Sequence, residues 1–378
     1  MLKNTALLNK LDWIKRMNPL TMGAIARYKG CAYTGIRLGY VAHIEPKMIP
    51  HIEFFIKNGV EVHVAPCVPC IKDTESFEYL KSIGAMIYGV NSTNWEELNL
   101  AWSQILQANA NYLFDMGGGI IAEAIKYNTP ILAAAEATSS GISKISQLRP
   151  PFPVFDWNNI PLKNLMHNRY ETGSGIWFAF RNLTGLDPCR MKIGVLGFGM
   201  VGQSVASTAR GLGARVYVHD IDPVRNLAAA SEGYFTDNLE TIMANVDVIV
   251  TATGMINALN IDSIAMAKNN VIILNAGHDN REINLNGANF KNDVLPQVSL
   301  FTTKEGKEFY LLANGLLLNL AAGGGSAVNT FDLCTALMTE VISYILTSGK
   351  DQPMGLHPTP QFLVDNILKG VINELNLN

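Results

Sequence analysis

Cysteine is scarce in this sequence, and charge of neither sign dominates. The 378 residues include five cysteines at no regular spacing, and 29 basic against 32 acidic residues give a formal net charge of −3. An odd and irregular set of cysteines argues against a disulfide framework and favours a reducing compartment. The balanced charge gives no indication of a nucleic-acid partner or of binding to an anionic membrane surface.

Long apolar runs are missing as well. No window approaches the ~18 uninterrupted apolar residues of a membrane span. The first residues, MLKNTALLNKLDWIKRMNPL, lack the apolar core of a signal peptide. We therefore expect a cytoplasmic globular protein with no membrane and no nucleic acid as partner. A chain of 378 residues, 48% of them hydrophobic, is long enough for two or three domains with a sizeable core.

Strand-like apolar runs alternate with helix-like stretches along most of the chain, which is typical of parallel α/β sheets. A first series contains RLGYVAH, VEVHVAP, AMIYGV, NYLFD and PILAAA, and a second contains MKIGVLGFG, ARVYVHD, VDVIVTAT, NVIILNAG and FYLLANG. Four prolines in 147–163 disfavour helix and indicate the approach to a domain boundary. The pattern predicts two Rossmann-like three-layer α/β domains. The first covers 1–166 and is rejoined by the C-terminal helices of 328–378, and the second covers 167–327.

A dinucleotide-binding fingerprint opens the second series. A strand leads into a G-x-G-x-x-G turn and a helix-compatible segment, whose free N–H groups suit a pyrophosphate. Asp220 ends the next strand, where a carboxylate can bind a ribose 2′-hydroxyl and favours NAD over NADP. A glycine turn that binds no nucleotide is the alternative. The turn contributes five positions expected to contact the cofactor: Gly197, Gly199, Met200, Val201 and Gly202.

Several further motifs follow one another in an order that resembles the adenosylhomocysteinase (S-adenosylhomocysteine hydrolase) family. They are LDWIKRMNP, GIRLGYVAHIEPKMIPHIEFFIKNGVEVHVAPC, EATSSG, GFGMVGQSVASTARGLGARVYVHDIDPVRNLAAASEGY, TATGMIN, NAGHDNREI and LLANGLLLNLAAGGG. The resemblance covers most of the chain. It implies a tightly held NAD, a small nucleoside-type substrate, a place in the S-adenosylmethionine cycle, and a homo-oligomer.

The resemblance also implies an unusual hydrolysis. In that family NAD oxidises the ribose 3′-hydroxyl, which acidifies the C4′ proton; the thiol then leaves from C5′, water adds, and the hydride is returned. Such chemistry needs a closed pocket and acid–base groups within hydrogen-bond reach of the sugar.

Five residues match catalytic positions of the family. His43 in VAHIEPK and His278 in NAGHDN correspond to its two active-site histidines, and Glu171 stands at an acidic position. Gapless alignment puts His167 in the place of the catalytic lysine, whereas an insertion would bring Lys163 into that role. Each histidine could instead be a polar loop residue at the end of a strand.

Cofactor contacts are implied at further positions. The hydroxyl-rich turn EATSSG would contact the nicotinamide ribose and phosphate, and Asn319 could hydrogen-bond the carboxamide. Each small polar residue could otherwise be only a turn former. Besides Asp220 and the glycine turn, the positions are Thr138, Ser139, Ser140, Thr172, Thr253, Gly277 and Asn319, with Asn275 in a neighbouring segment.

The substrate positions depart from the family pattern. Met116, Ala137, Thr172 and Ser326 stand where the family has an aspartate, a glutamate, an asparagine and a histidine, and the last residues, INELNLN, do not match its basic, tyrosine-bearing tail. Titratable residues that could compensate are His167, Glu171, Glu45, Lys47 and Lys163.

The departures leave three hypotheses open. A hydrolase of S-adenosylhomocysteine or a related thioether nucleoside is the leading one. A dehydrogenase of another small hydroxy compound would release its reduced cofactor, and a non-catalytic NAD-binding paralogue would turn over no nucleoside.

Overall fold

The chain divides into two compact α/β units. The computed structural model describes residues 5–31, 33–69 and 73–375. One unit comprises Met1–Lys163 and Val328–Asn378, and the other comprises Asn164–Ala327. The division therefore falls at 163/164, where the sequence predicted 166/167, and at 327/328.

A parallel sheet forms the centre of the first unit. The strands before the boundary run in the order β6-β5-β4-β1-β2-β3. They are β1 (Arg37–Ala42), β2 (Glu61–Pro66), β3 (Met86–Ile87), β4 (Tyr112–Asp115), β5 (Ala133–Glu136) and β6 (Pro153–Asp156). Every residue of β4 and β5 is buried, as expected of a strand covered by helices on both faces. The helices are α1 (Thr5–Met17), α2 (Pro19–Arg27), α3 (Ile49–Lys57), α4 (Thr74–Ser82), α5 (Trp95–Gln107), α6 (Gly119–Lys126) and α7 (Ser139–Leu148).

The proline-rich stretch before the boundary contains a strand that the sequence analysis did not predict. In β6, Val154 and Phe155 are buried in the core of the first unit. Pro153 is the first residue of the strand, a position that a sheet tolerates because the missing N–H is needed least there.

A second, mostly parallel sheet forms the other unit, in the order β12-β13-β14-β11-β10-β7-β8-β9. Its strands are β7 (Lys192–Leu196), β8 (Arg215–His219), β9 (Phe235–Thr236), β10 (Val248–Thr251), β11 (Val271–Asn275), β12 (Asn289–Leu295), β13 (Val298–Thr302) and β14 (Glu308–Leu312). β12, β13 and β14 form an antiparallel meander, of which the sequence analysis predicted only the last strand. The helices are α8 (Thr172–Thr184), α9 (Met200–Gly211), α10 (Pro223–Ser231), α11 (Leu239–Asn245), α12 (Ile261–Ala265) and α13 (Leu318–Ala322).

The C-terminal segment returns to the first unit. It consists of α14 (Val328–Thr347), β15 (Gly355–Pro358), which pairs with β6, and α15 (Gln361–Leu375). α14 is long and apolar enough to cross a membrane, but 78% of its most apolar 18-residue window is buried inside the protein. Buried Asp332 of α14 accepts hydrogen bonds from Leu20 N and Thr21 N at 2.8 Å each, so it caps α2. α14 is therefore a core helix, and the predicted α/β architecture with returning helices is confirmed.

Each sheet has a topological switch point, where the loops after two adjacent strands leave in opposite directions. In the first sheet it lies between β1 and β4, and in the second between β7 and β10. Ligands of open α/β sheets bind at the carboxyl ends of such strands. His43 follows β1 and Gly197 follows β7, so two predicted site residues occupy switch points.

Candidate functional site

His43 is the first residue beyond β1, and it is partly buried. Glu45 and Lys47, two and four residues after His43, form an ion pair whose side chains are little exposed. The Lys47 ammonium also lies 5.2 Å from the centre of the Phe331 ring. Burial raises the pKa of Glu45, and the neighbouring Lys47 counteracts that rise. The pair therefore places opposite charges side by side at the switch point of the first unit.

Glu136 forms the centre of the first unit's loop structure. Its buried carboxylate accepts from Gly117 N and Gly118 N at 2.9 Å each, and from the backbone N and Oγ1 of Thr138 at 2.7 Å each. A Cβ on Gly141 would lie 2.2 Å from Glu136 Oε1, so only glycine fits there. This glutamate clamps the loops after β4 and β5 together and has no oxygen left uncommitted.

Asp115 stands beside Glu136, because the two residues end paired strands. Its Oδ2 accepts from Ile121 N at 3.1 Å, while its buried Oδ1 has no hydrogen-bond partner among the described residues. Burial raises the pKa of Asp115 to about 7 and that of Glu136 to about 8, the second also through the charge of Asp115. The two carboxyl groups titrate as a coupled pair, which retains a proton to a higher pH than two separate carboxyl groups would.

Lys163 lies in the first unit and His167 in the second, so the two candidates for the lysine role belong to different units. Lys163 Nζ donates to Asn158 Oδ1 at 3.0 Å, and burial lowers the pKa of Lys163. His167 Nδ1 and Glu171 Oε2 are 3.0 Å apart.

Both lysine candidates lie on one π-helix, Leu162–Glu171, and Thr172 follows it as the buried first residue of α8. π-helical turns are rare and occur often at functional sites. The predicted site residues of this stretch therefore lie on an unusual helix, which the sequence did not indicate.

The three fingerprint glycines of the second unit serve different purposes. A Cβ on Gly202 would lie 1.9 Å from Gly197 O, and one on Gly197 would lie 2.6 Å from Ala252 O, so the backbone packs too closely for side chains. At Gly199 the closest atom would be 3.8 Å away, and φ −70°, ψ −172° suits any residue. Neither packing nor backbone conformation explains a glycine at 199, whereas the close approach of a ligand does.

The N-terminus of α9 faces the same turn. Gly199 is its N-cap residue, and no side chain caps the helix, so its first N–H groups can bind an anion. Met200 and Val201, which begin the helix, are both partly buried. Turn and helix end together form a cradle for a pyrophosphate.

Asp220 ties the cradle to the end of β8. Its buried carboxylate accepts from Phe198 N at 2.6 Å and from Asp222 N at 2.9 Å. Oδ2 also forms an ion pair with Arg225 Nη1 at 3.5 Å, whereas Oδ1, which accepts from Asp222 N, keeps a lone pair for a further donor. Its predicted bond to a ribose hydroxyl stays a prediction.

Glu282 clamps the loops of the second unit. This buried side chain accepts from Thr253 N at 3.0 Å, from Thr253 Oγ1 at 2.9 Å and from Gly254 N at 2.9 Å. Burial raises the pKa of Glu282, and these donors counteract the rise. A Cβ on Gly277 would lie 1.6 Å from Glu282 Oε1. Thr253 and Gly277, both predicted to contact a cofactor, are therefore also parts of this clamp, and sequence reasoning missed Glu282 because no spacing rule marks it.

The side-chain amides of Asn275 and Asn319 differ in how many hydrogen bonds they form. Asn275 Oδ1 accepts from Thr251 Oγ1 at 3.0 Å and from Gly277 N at 2.7 Å, and its Nδ2 donates to Gly315 O at 2.9 Å. Asn319 is 5% exposed, and its buried Oδ1 has no partner among the described residues. An unused buried acceptor is costly unless a ligand satisfies it, so Asn319 fits a carboxamide N–H₂. His278 lies three residues beyond Asn275, in the partly buried loop after β11.

The positions at which the sequence departs from the pattern of the resembling family are mostly apolar or small. Met116 is partly buried against the hydrophobic core of the first unit, and Ala137 and Ser326 are buried. In the first unit, the hydroxyl turn of Thr138, Ser139 and Ser140 begins α7, with Thr138 as the N-cap residue. Their contacts with a cofactor stay a prediction.

Comparison with known proteins agrees with this geometry. The family model "S-adenosyl-L-homocysteine hydrolase, NAD binding domain" matches residues 189–325. The chain is 27% identical to the adenosylhomocysteinase of Thermotoga maritima, over 97% of this chain and 94% of that protein. It is 27% identical to the adenosylhomocysteinase of Thermoplasma acidophilum (93% and 89%). It is 28% identical to the S-inosyl-L-homocysteine hydrolase of Methanopyrus kandleri (86% and 80%).

These similarities confirm the resemblance inferred from the motifs. The chain is an enzyme that resembles the adenosylhomocysteinases, and NAD is its cofactor. The open space at Gly199, the uncapped start of α9 and the unused Oδ1 of Asn319 fit a dinucleotide with a carboxamide. When bound, NAD supplies a reversible hydride acceptor.

Gly199 and Gly202 provide a matched pair for testing the cradle. Gly199→Ala should leave the free energy of unfolding within roughly 0.5 kcal/mol of wild type and weaken NAD binding about ten-fold or more, because its methyl group occupies the ligand's space. Gly202→Ala should destabilise by roughly 1–3 kcal/mol through overpacking. Thermal unfolding and calorimetric NAD titration measure both effects, and wild-type NAD affinity in Gly199→Ala would show that the cradle is assigned wrongly.

Asp115→Asn tests the raised pKa of Asp115. Because the raised pKa of Asp115 makes wild type lose stability as pH rises towards 7, the neutral variant should gain a few degrees in Tm relative to wild type between pH 5 and pH 8. Glu136→Gln is the control: it should lose stability at both pH values, since its amide N–H₂ would face the N–H of either Gly117 or Gly118, whichever way the amide is turned. A stability difference between Asp115→Asn and wild type that does not depend on pH would contradict the raised pKa of Asp115.

Proposed function

We propose that this enzyme, which resembles the adenosylhomocysteinases and matches the model of their NAD-binding domain, hydrolyses a thioether nucleoside of the S-adenosylhomocysteine or S-inosylhomocysteine type. In the net reaction the C5′–S bond breaks, the sulfur leaves as a thiol, and water supplies the new C5′ hydroxyl. The observation that carries the proposal is the extent of the similarity to hydrolases of such compounds. It covers 97% of this chain, and therefore both units rather than the NAD-binding domain alone.

Lys163 is the residue that we assign to the lysine role. A π-helix holds more residues per turn than an α-helix, so the wide helix Leu162–Glu171 accommodates the insertion that this assignment requires. Burial lowers the pKa of Lys163, which makes a neutral amine more accessible than at the surface. Lys163 would then take and return the proton of a substrate hydroxyl.

The remaining acid–base roles go to residues of each unit. We assign His43 in the first unit and His278 in the second to proton transfer near the sugar, because each follows a strand at the carboxyl end of its sheet. Glu171 Oε2, 3.0 Å from His167 Nδ1, would accept a hydrogen bond from that nitrogen and orient the imidazole. The predicted homo-oligomer and the cytoplasmic location stay predictions.

The altered positions favour a modified substrate over an unchanged one. Family acids are replaced by Met116 and Ala137, and the carboxylates of the neighbouring strand ends, Asp115 and Glu136, are buried, with Glu136 committed to its own loops. Of these carboxylate oxygens, Asp115 Oδ1 is the one without a hydrogen-bond partner among the described residues. The two kinds of relative, at 27% and 28% identity, do not separate an adenine from a hypoxanthine base.

A substrate panel tests the hydrolase. Purified protein supplied with NAD is given S-adenosylhomocysteine, S-inosylhomocysteine or the corresponding thioether nucleosides without the amino-acid part, and free thiol and absorbance at 340 nm are followed. We expect many thiols per active site with at least one compound, and no steady accumulation of NADH. Accumulating NADH without thiol would indicate a dehydrogenase. No turnover by protein that holds NAD would indicate a non-catalytic paralogue.

Lys163→Met and His167→Ala separate the two lysine candidates. Loss of the amine should lower kcat by about 10²–10⁴, whereas His167→Ala should cost less than about ten-fold. In wild type the rate should rise with pH and level off below the ordinary lysine pKa of about 10.4, because the neutral amine exists above a lowered pKa. The reverse order of the two variants would transfer the role to His167.

A further inference from the structure

Asn158 connects two candidate site residues, although no sequence motif pointed to it. The side chain is in the first unit and only 1% of the residue is exposed. Its Oδ1 accepts from Lys163 Nζ at 3.0 Å, and its Nδ2 donates to Ser139 Oγ at 2.9 Å. An ammonium has donors only, so the oxygen of the amide has to face the lysine. The orientation of the amide is thereby determined.

The chain of contacts joins three elements of the first unit. Lys163 lies on the π-helix, Asn158 follows β6, and Ser139 is the first residue of α7. The Trp157 ring centre is 5.9 Å from the Lys163 ammonium. Charged or titratable groups that act on this lysine are Cys334 of α14, Glu136 of β5 and Asp156 of β6.

Asn158 holds the ammonium with a neutral acceptor. The oxygens of Glu136 accept N–H groups of its own loops, and Asp156 accepts from Asn159 N at 3.1 Å and from its side chain. A neutral amide stabilises the charged lysine less than a carboxylate at the same distance would. It therefore fixes the position of the amine and still permits loss of the proton.

We propose that Asn158 is a positioning residue, which orients the Lys163 amine and the Ser139 hydroxyl at the carboxyl edge of the first sheet. The amide N–H occupies a lone pair of Ser139 Oγ, which leaves the hydroxyl proton available for an acceptor on a ligand. This inference rests on the proposed function for the role of Lys163 as a proton carrier. The placement of the lysine can be tested without any turnover.

Asn158→Asp replaces the neutral acceptor by a charged one of the same shape. Competitive acetylation of the NAD-supplied protein, read by mass spectrometry, measures how readily Lys163 exists as the neutral amine. We expect the labelling rate at pH 8 to fall about ten-fold or more, because an adjacent carboxylate favours the ammonium. Asn128→Asp, which makes the same change at an exposed position after α6, is the matched control and should change the rate less than about two-fold. Unchanged labelling in Asn158→Asp, or an equal fall in both variants, would overturn the proposal.

Asn158→Ala distinguishes positioning from a general structural effect. Removal of the acceptor disfavours the ammonium, so the labelling rate at pH 8 should stay the same or rise, opposite to Asn158→Asp. A fall in both variants would indicate a merely structural role and overturn the inference, and the Ala variant decides the question if the Asp variant does not fold. If the Lys163 labelling rate falls in Asn158→Asp but not in Asn158→Ala, and wild type turns over no nucleoside, the proposed function is wrong and this inference stands. If wild type turns over a nucleoside but neither substitution of Asn158 changes the Lys163 labelling rate, this inference is wrong and the proposed function stands.

Discussion

A buried carboxylate that accepts loop N–H groups organises the ligand edge of each unit. Glu136 clamps the loops after β4 and β5, and Glu282 clamps the loop after β10. In both cases a glycine packs against the carboxylate, Gly141 in the first unit and Gly277 in the second, where a Cβ would lie 2.2 Å and 1.6 Å away. A charge can be buried only when several donors compensate its lost hydration, so each clamp requires its loops in one conformation.

The hydrogen bonds of these clamps distinguish polar groups that support the fold from polar groups that can contact a ligand. At the ends of β4 and β5, Glu136 is committed to its loops through four hydrogen bonds, whereas Asp115 accepts one from Ile121 N. The turn at Gly199, by contrast, leaves space and uncapped N–H groups that a ligand can fill.

Much of the fold and of the cofactor site could be predicted from the sequence, because strand ends in parallel sheets are marked by local patterns. The alternation of apolar runs indicated most of the parallel strands, and the fingerprint placed Gly197, Gly199 and Gly202 in one turn. β6 could not be recognised, because a proline-rich stretch is typical of a linker. This stretch is a strand only because it pairs with β5 and β15, which are distant in the sequence. The π-helix was also not predicted, because its wider turn depends on tertiary packing and has no characteristic composition.

By itself the sequence determined the α/β class, the two-unit organisation, the dinucleotide turn and the family resemblance, because periodicity and glycine spacing act over short distances along the chain. Only the tertiary structure decided which polar groups are free for chemistry. Glu282, Asn158 and the unused oxygen of Asn319 take their roles from partners far away in the chain, such as Thr253 for Glu282 and Ser139 for Asn158. Whether a buried carboxylate or amide supports a loop or serves a ligand depends on how many of its hydrogen bonds the folded protein already satisfies, and that number exists only once the strands have come together.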